Sequence, residues 1–350
     1  MPITPRLEEQ IRFTGRGSAY FKIWIVNLLL TIVTLGIYSA WAKVRRLHYF
    51  YRHTELAGSS FDFHGRPVRI LIGRIVGVAM FALYNYAVNL KSLTSIAVIA
   101  LVALVMPALM RNSLRFRLYN SSWRGTRFHF RGCVSGIYRV TLLNGLLTGL
   151  TLGILAPFAH QRLKAYQHGN SWFGRSRFSF HAGIGGFYVN YLIVLATIVA
   201  IAIVAGAVGL GSMLPGLAAP KGATPNLPAI FKALAVIWGI VLVISLSVGP
   251  VFHAFMTNLI WSNTRLGEHR IDCAMSPWGL IWIVLSNFAL TIVTLGFFYP
   301  WAKVRLARFQ LEAIQLFPAG DLQEFEQAAP EDVGALGEEA ASIFDFDISL

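Results

Sequence analysis

The chain of 350 residues is 55% hydrophobic and only 13% charged, against about 25% charged for an ordinary soluble domain. With a mean hydropathy of +0.58, a soluble globular protein is excluded and an integral membrane protein indicated. The 30 Lys and Arg outnumber 16 Asp and Glu for a net charge of +14. In a soluble chain such an excess would point to nucleic acid, but here the cations flank hydrophobic runs, where membrane topology and anionic headgroups account for them. Membrane lipids are therefore the expected partners, and nucleic acid is set aside.

The first twenty residues carry Pro, Glu and Arg where a cleavable signal needs an apolar core, so the first hydrophobic segment is expected to direct insertion. Seven runs approach the roughly 20 residues needed to cross a bilayer: Phe21–Ala40, Val68–Val88, Leu93–Met110, Val140–Ala159, Phe187–Leu210, Ile230–Val248 and Leu280–Tyr299. Cys133 and Cys273 stand apart in basic flanks, which suggests neither a disulfide framework nor a metal cluster. Nine of the acids lie after Pro318, where no Lys or Arg occurs, and none lies between Asp62 and Glu268.

TIVTLGIYSAWAKVRR at residues 31–46 returns as TIVTLGFFYPWAKVRL at 291–306, and internal similarity of this kind governs the fold assignment. Ala40 and Pro300 have counterparts in Pro107, Pro157 and Pro250. His53-Thr54, Asn120-Ser121, Asn170-Ser171 and Asn263-Thr264 follow at one constant offset. Next come Gly58, Gly125, Gly174 and Gly267, and then the triplets Phe61-Asp62-Phe63, Phe128-His129-Phe130, Phe178-Ser179-Phe180 and Ile271-Asp272-Cys273. Ile11-Arg12-Phe13 reads as one more triplet.

The spacing divides the chain into five units (11–60, 61–127, 128–177, 178–270 and 271–318), alternately short and long. Each unit is predicted to hold a hydrophobic helix ending near Pro or Ala40, then a headgroup-plane amphipathic helix such as Val44, Leu47 and Tyr51 against Lys43, Arg46 and Arg52. A short β-hairpin around the Gly closes it. The fold class expected is an all-α polytopic membrane protein, with four full spans plus three short segments in one membrane domain, 1–318. Residues 319–350 form an acidic tail, expected to be disordered.

Every hairpin, taken with the amphipathic stretch before it, carries Lys or Arg, while the connections at Asn89–Ser92 and Gly211–Pro228 carry only Lys91 and Lys221. The long units therefore read as helical hairpins leaving and regaining the cytoplasm. The short units have basic flanks on both sides. Crossing once would divide the basic hairpins between compartments; entering and returning, with a break near Asn27, Asn144 and Asn287, would keep them together, provided protein or water covers the irregular backbone.

The segments FTGRGSAYFKIWIVNLLLTIVTLGIYSAWAKVRR, HTELAGSSFDFHG and NFALTIVTLGFFYPWAKVR resemble those of the YjgN-type bacterial inner-membrane protein family, a family of unknown function, over roughly residues 10–312. The resemblance implies a multi-pass protein of the bacterial inner membrane. It implies no reaction, substrate or catalytic residue.

Catalysis is not expected: no carboxylate lies within the hydrophobic segments, where membrane enzymes and proton-coupled carriers keep one. Catalytic triads, zinc sites and phosphate loops lack their residues, and His48, His53 and His64 read as interfacial packing. No cofactor or metal is implied. Arg74 and Arg139 suit snorkelling to headgroups or an anion pathway. Asn27, Asn144 and Asn287 occupy equivalent positions and suit interhelical hydrogen bonds or an amide ring around a central site. Two functions fit: a transporter, channel or lipid-handling protein for neutral or anionic cargo, or a non-catalytic membrane scaffold or envelope-organising protein whose basic cytoplasmic face engages anionic lipid, its own acidic tail, a second copy or a protein partner.

Overall fold

The computed structural model describes residues 8–89, 93–205 and 227–319. Its helices, in chain order, are α1 (Gly17–Val33), α2 (Ser39–Arg52), α3 (Pro67–Asn89), α4 (Leu93–Tyr119), α5 (Val134–Tyr138), a π-helical turn (Arg139–Leu143), α6 (Asn144–Leu150), α7 (Ala156–Gly169), α8 (Ile184–Ala205), α9 (Leu227–Ser262), α10 (Pro277–Val293) and α11 (Tyr299–Glu312). Lys91, most of Gly211–Pro228 with Lys221, and nearly all of the acidic tail lie outside the described residues.

The three short segments each run out and turn back. α1 returns as α2, α5–α6 as α7, and α10 as α11, each through a Thr-Leu-Gly turn. In these turns Leu35, Leu152 and Leu295 adopt φ of 49°, 50° and 50°, and Gly36, Gly153 and Gly296 of 92°, 91° and 92°. The glycine N–H groups donate to Thr31, Thr148 and Thr291 carbonyls at 2.8, 2.8 and 2.7 Å, closing the outgoing helix as a left-handed cap does. Thr34, Thr151 and Thr294 Oγ1 then accept from the N–H of Tyr38, Leu155 and Phe298, which starts the returning helix. The three turn leucines are 94%, 95% and 89% exposed, so none of the described residues covers these apolar tips.

The break therefore falls at Thr-Leu-Gly rather than at Asn27, Asn144 or Asn287, which sit within the outgoing helices. Ala40, Pro157 and Pro300 open the returning helices instead of ending the outgoing ones, as suits a proline whose missing N–H would have no partner in the first turn. Pro107 and Pro250 lie inside α4 and α9. The amphipathic stretch after Ala40 packs against its neighbours in the chain. It is the return leg, α2, with Val44, Leu47 and Tyr51 packed around Phe63 and Ile70.

The helical pairs are joined through strands β1 (Glu9–Gln10), β2 (Arg12–Phe13), β3 (Thr54–Leu56), β4 (Ser59–Phe63), β5 (Ser121–Trp123), β6 (Thr126–Phe130), β7 (Ser171–Phe173), β8 (Ser176–Phe180), β9 (Thr264–Leu266), β10 (His269–Cys273) and β11 (Ile314–Phe317). Hairpins form at β3–β4, β5–β6, β7–β8 and β9–β10. Their two-residue loops put Gly58 and Gly125 at the second turn position and Gly174 and Gly267 at the first, all with positive φ. Positive φ is what two-residue hairpin turns demand and glycine adopts freely.

Each hairpin pairs with the next, β4 with β5, β6 with β7 and β8 with β9, while β10 pairs with β11. β11 meets β1 and β3 meets β2, and Ile11 alone separates β1 from β2, its N–H donating to Ile314 O at 3.3 Å. One antiparallel sheet of 11 strands thus closes on itself through a single N-terminal segment. This overturns the all-α expectation: each hairpin signature is local, but the pairing between hairpins is set by residues far apart in the chain. The count of spans changes too. Among the described residues three helices are long and apolar enough to cross a membrane, Pro67–Asn89, Ser95–Tyr119 and Ile184–Ile203, rather than seven segments. At 17 residues α1 and α10 are shorter, about 25 Å at 1.5 Å per residue, against a hydrocarbon core of about 30 Å.

The polar dipeptides have a specific task at the helix–strand joints. Asn120, Asn170 and Asn263 Nδ2 donate back to the carbonyls of Phe116, Tyr166 and Leu259 at 2.8, 2.7 and 2.8 Å, and His53 Nδ1 sits 2.7 Å from Tyr49 O. Thr54, Ser121, Ser171 and Thr264 Oγ cap the adjacent carbonyls, satisfying acceptors a helix end leaves open. From across the neighbouring strand pair, the N–H groups of Thr14, His64, Arg131, His181 and Ala274 reach the carbonyls of His53, Asn120, Asn170, Asn263 and Ala313 at 2.7–3.0 Å.

The last residue of each triplet wedges between neighbouring helical pairs. Phe63 lies among Ala40, Val44, Ile70 and Phe116, and Phe130 among Met110, Leu114, Ile137 and Tyr166. Truncating Phe130 to Ala is expected to cost about 3–5 kcal/mol, measurable as a lower denaturation midpoint in detergent. Removing residues 1–14 leaves β3 and β11 with open edges, which template association; the shortened protein is expected to melt lower and to self-associate on gel filtration. A monodisperse product with an unchanged midpoint would contradict closure.

Candidate functional site

Strand alternation decides what the sheet encloses. Leu56, Trp123, Phe173, Leu266 and Leu316 point inward with Ile11, Phe61, Phe128, Phe178 and Ile271, whereas Glu55, Asp62, Arg127, Arg177, Arg265 and Arg270 occupy the alternate, outward positions. Inside lies a cavity of about 410 Å³, within the size range of small-molecule sites, roughly 300–1,000 Å³. Its wall is aromatic: Phe128 and Phe173 rings stand 4.7 Å apart and Trp123 5.7 Å from Phe173.

The helix-side wall of the cavity is formed by the last turns of five helices. Tyr51 of α2, Leu118 of α4, His168 of α7, Trp261 of α9 and Leu311 of α11 line it, each at the same offset from Ala40, Pro107, Pro157, Pro250 or Pro300. Thr54, Ser121 and Ser171 add hydroxyls just beyond, and Arg117 is the one Asp, Glu, Lys or Arg among the described lining residues.

His168 is the odd member of this ring. It is 1% exposed, stacked at 5.5 Å on Phe180 and edge-on at 5.4 Å to Trp261. Thr264 Oγ1 gives its proton to Ile260 O and lies 3.3 Å from His168 Nδ1, so Nδ1–H is the donor there. Nε2 is buried without a partner among the described residues. Burial, with the nearby Lys164 charge second, pushes the pKa of His168 down to about 3, so the ring is neutral near pH 7.

The outside of the barrel carries cations seated on aromatic rings: Arg127 over Tyr119 at 4.7 Å, Arg131 over Trp172 at 4.7 Å and Arg177 over the same Trp172 at 6.0 Å.

Of the residues expected from sequence to form a pathway, Asn27, Asn144 and Asn287 are all buried, each in its own helical pair, and among the described residues no hydrogen bond joins one to another. Asn287 Nδ2 donates to Ala302 O at 3.1 Å and its Oδ1 accepts from Arg305 at 2.9 Å, tying α10 to α11. Asn27 Oδ1 is buried without a partner among the described residues. Arg74 donates to Ser39 Oγ, linking α3 to the start of α2. Arg139 opens the π-helical turn and is exposed. Nothing in the sequence marks the cavity residues as a site, although the constant offsets place Tyr51, Leu118, His168, Trp261 and Leu311 in register.

A closed sheet with an apolar interior, carried by helices able to cross a bilayer, defines a membrane protein of mixed helix and strand. The chain belongs to the DUF898 family, bacterial proteins of unknown function, whose profile matches residues 8–343. It is similar to the inner membrane protein YjgN of Salmonella typhimurium (strain LT2), 23% identical over 362 aligned positions that cover 90% of this chain and 89% of the relative. The YjgN proteins of Escherichia coli K12 and O157:H7 are 30% and 28% identical, over 44% of this chain and 39% of each relative. No solved structure matches the chain. It is a protein of the inner membrane.

The unfolded chain takes up a proton at His168 below about pH 6.5 while the folded chain does so only near 3. The stability this group contributes is therefore complete above about 6.5 and lost as pH falls toward 3. Thermal melts across that range are expected to show a shallower acid limb for His168→Gln than for the wild type; coincident limbs would assign the acid loss to other groups.

Proposed function

We propose that this is a multi-pass, non-catalytic lipid-handling protein, an internal repeat of five units whose barrel takes up a single-chain amphiphile from the inner leaflet. The observation that carries the reading is the aromatic cavity of about 410 Å³ lined by the ends of five helices. Supporting it, one hydrogen-bonded sheet holds all four hairpins together, so all lie on one side of the bilayer, and the Lys and Arg in and beside them make that side cytoplasmic by the positive-inside rule. The exposed Leu35, Leu152 and Leu295 tips then reach into the hydrocarbon beside the spans, and the cations on the barrel's outer face meet anionic headgroups.

A second reading, a scaffold that binds anionic lipid or a partner through that outer face, is favoured by the aromatic-held Arg127, Arg131 and Arg177. Filling the cavity separates the two: Leu316→Trp should abolish uptake of an apolar probe and leave vesicle binding intact.

Two measurements test the proposal. In nanodiscs, affinity for straight-chain alcohols, read by energy transfer between Trp123 or Trp261 and a polyene probe, is expected to rise by about 0.8 kcal/mol per methylene and then stop at the length that fills the cavity. A continuous rise matching that of empty nanodiscs would mean bilayer partition alone. In intact cells the exposed thiol of Cys133, next to the barrel at the end of β6, should resist a membrane-impermeant maleimide until the inner membrane is opened; labelling from the periplasmic side would reverse the orientation.

A further inference from the structure

Building on the lipid-handling reading, we propose that the cavity selects a single-chain carboxylate, with Arg117 as the group that receives its head. The chain count comes from volume: about 410 Å³ lies near the lower end of the range of ligand sites, space for one acyl chain rather than two. The depth of the cavity, walled by Phe61, Trp123, Phe128 and Phe178, offers an alkyl chain only apolar contact. Polar lining lies toward the helix ends, where Ser121 and Ser171 follow α4 and α7 and Arg117 stands in the last turn of α4.

Charge fixes the head. No Asp or Glu is among the described lining residues and His168 there is neutral, so Arg117, with the Lys164 charge nearby, makes the helix-end side of the cavity positive. A guanidinium presents donors in a planar fork that matches a carboxylate bidentately. Against an aromatic cavity wall such a pair is less screened than on an open surface. The same field disfavours a cationic amphiphile and gives a neutral alcohol no charge to recognise.

The test uses the full protein in phosphatidylcholine nanodiscs at alkaline pH, with cis-parinaric acid accepting energy from Trp123 and Trp261. Palmitate and hexadecanol, equal in chain length, serve as competitors. Palmitate is expected to displace the probe roughly tenfold better than hexadecanol. Arg117→Gln should bring that ratio close to one, and Arg117→Lys, which keeps the charge, should retain a several-fold preference, separating lost charge from lost fold. Equal displacement by acid and alcohol in the wild type, or an undiminished preference in Arg117→Gln, overturns the carboxylate assignment and leaves the cavity's affinity for single chains standing. If no chain of either kind gives saturable transfer, the lipid-handling reading falls and this inference with it.

Discussion

A strand edge is a row of unsatisfied N–H and C=O groups, and in this protein everything rests on leaving none open. Eleven strands, eight from four hairpins with the C-terminal β11 and the N-terminal β1 and β2, are arranged so that every strand but β1 and β2 has a partner on both sides, and these two share one segment. The decisive contribution comes from Glu9–Phe13, which gives its first half to β11 and its second half to β3. Its change of partner at Ile11 turns that side chain into the interior. Closure removes the edges that would otherwise invite intermolecular pairing and seals an apolar space that would be open in a flat sheet.

The helical pairs depend on the same arrangement. A helix reaching the sheet must end abruptly, and its last carbonyls need donors where water is scarce. Asn, Ser and Thr at the joints supply donors from the side, and a backbone N–H from the neighbouring strand pair supplies one more. Each joint thus depends on the next one round the ring. The last residue of each apolar triplet reinforces this by filling the crevice between adjacent helical pairs, so helices and strands are secured by residues two positions apart in one strand.

Much of this was legible in the sequence, and the limits are physical. Gly58, Gly125, Gly174 and Gly267 between alternating residues announce hairpins because two-residue turns need positive φ, a local requirement. Thr-Leu-Gly after a run of apolar residues was legible as a repeated phrase but not as a turn, because its leucine sits in a conformation that β-carbon sterics disfavour and propensity argues against. Sheet closure could not be read at all: it is decided by Gln10 meeting Gln315 and Phe61 meeting Trp123, contacts for which periodicity carries no signal. The three asparagines were conspicuous because they are polar within apolar helices. The cavity was not, because aromatic residues on a strand look the same whether they fill a core or line a space.

Because β1 and β2 must pair with strands from opposite ends of the chain, the barrel cannot be completed during synthesis until Phe317 has left the ribosome. Until then the N-terminal segment can hold β3 on one side only, and each finished hairpin waits with one unpaired edge while its helical pairs settle in the bilayer. The ring must therefore assemble in the order it is made and lock last at the seam where it began. Long-range pairing of this kind is slow and leaves sticky intermediates, and anchoring each intermediate to the membrane keeps nascent edges of different chains apart while the seam is still open.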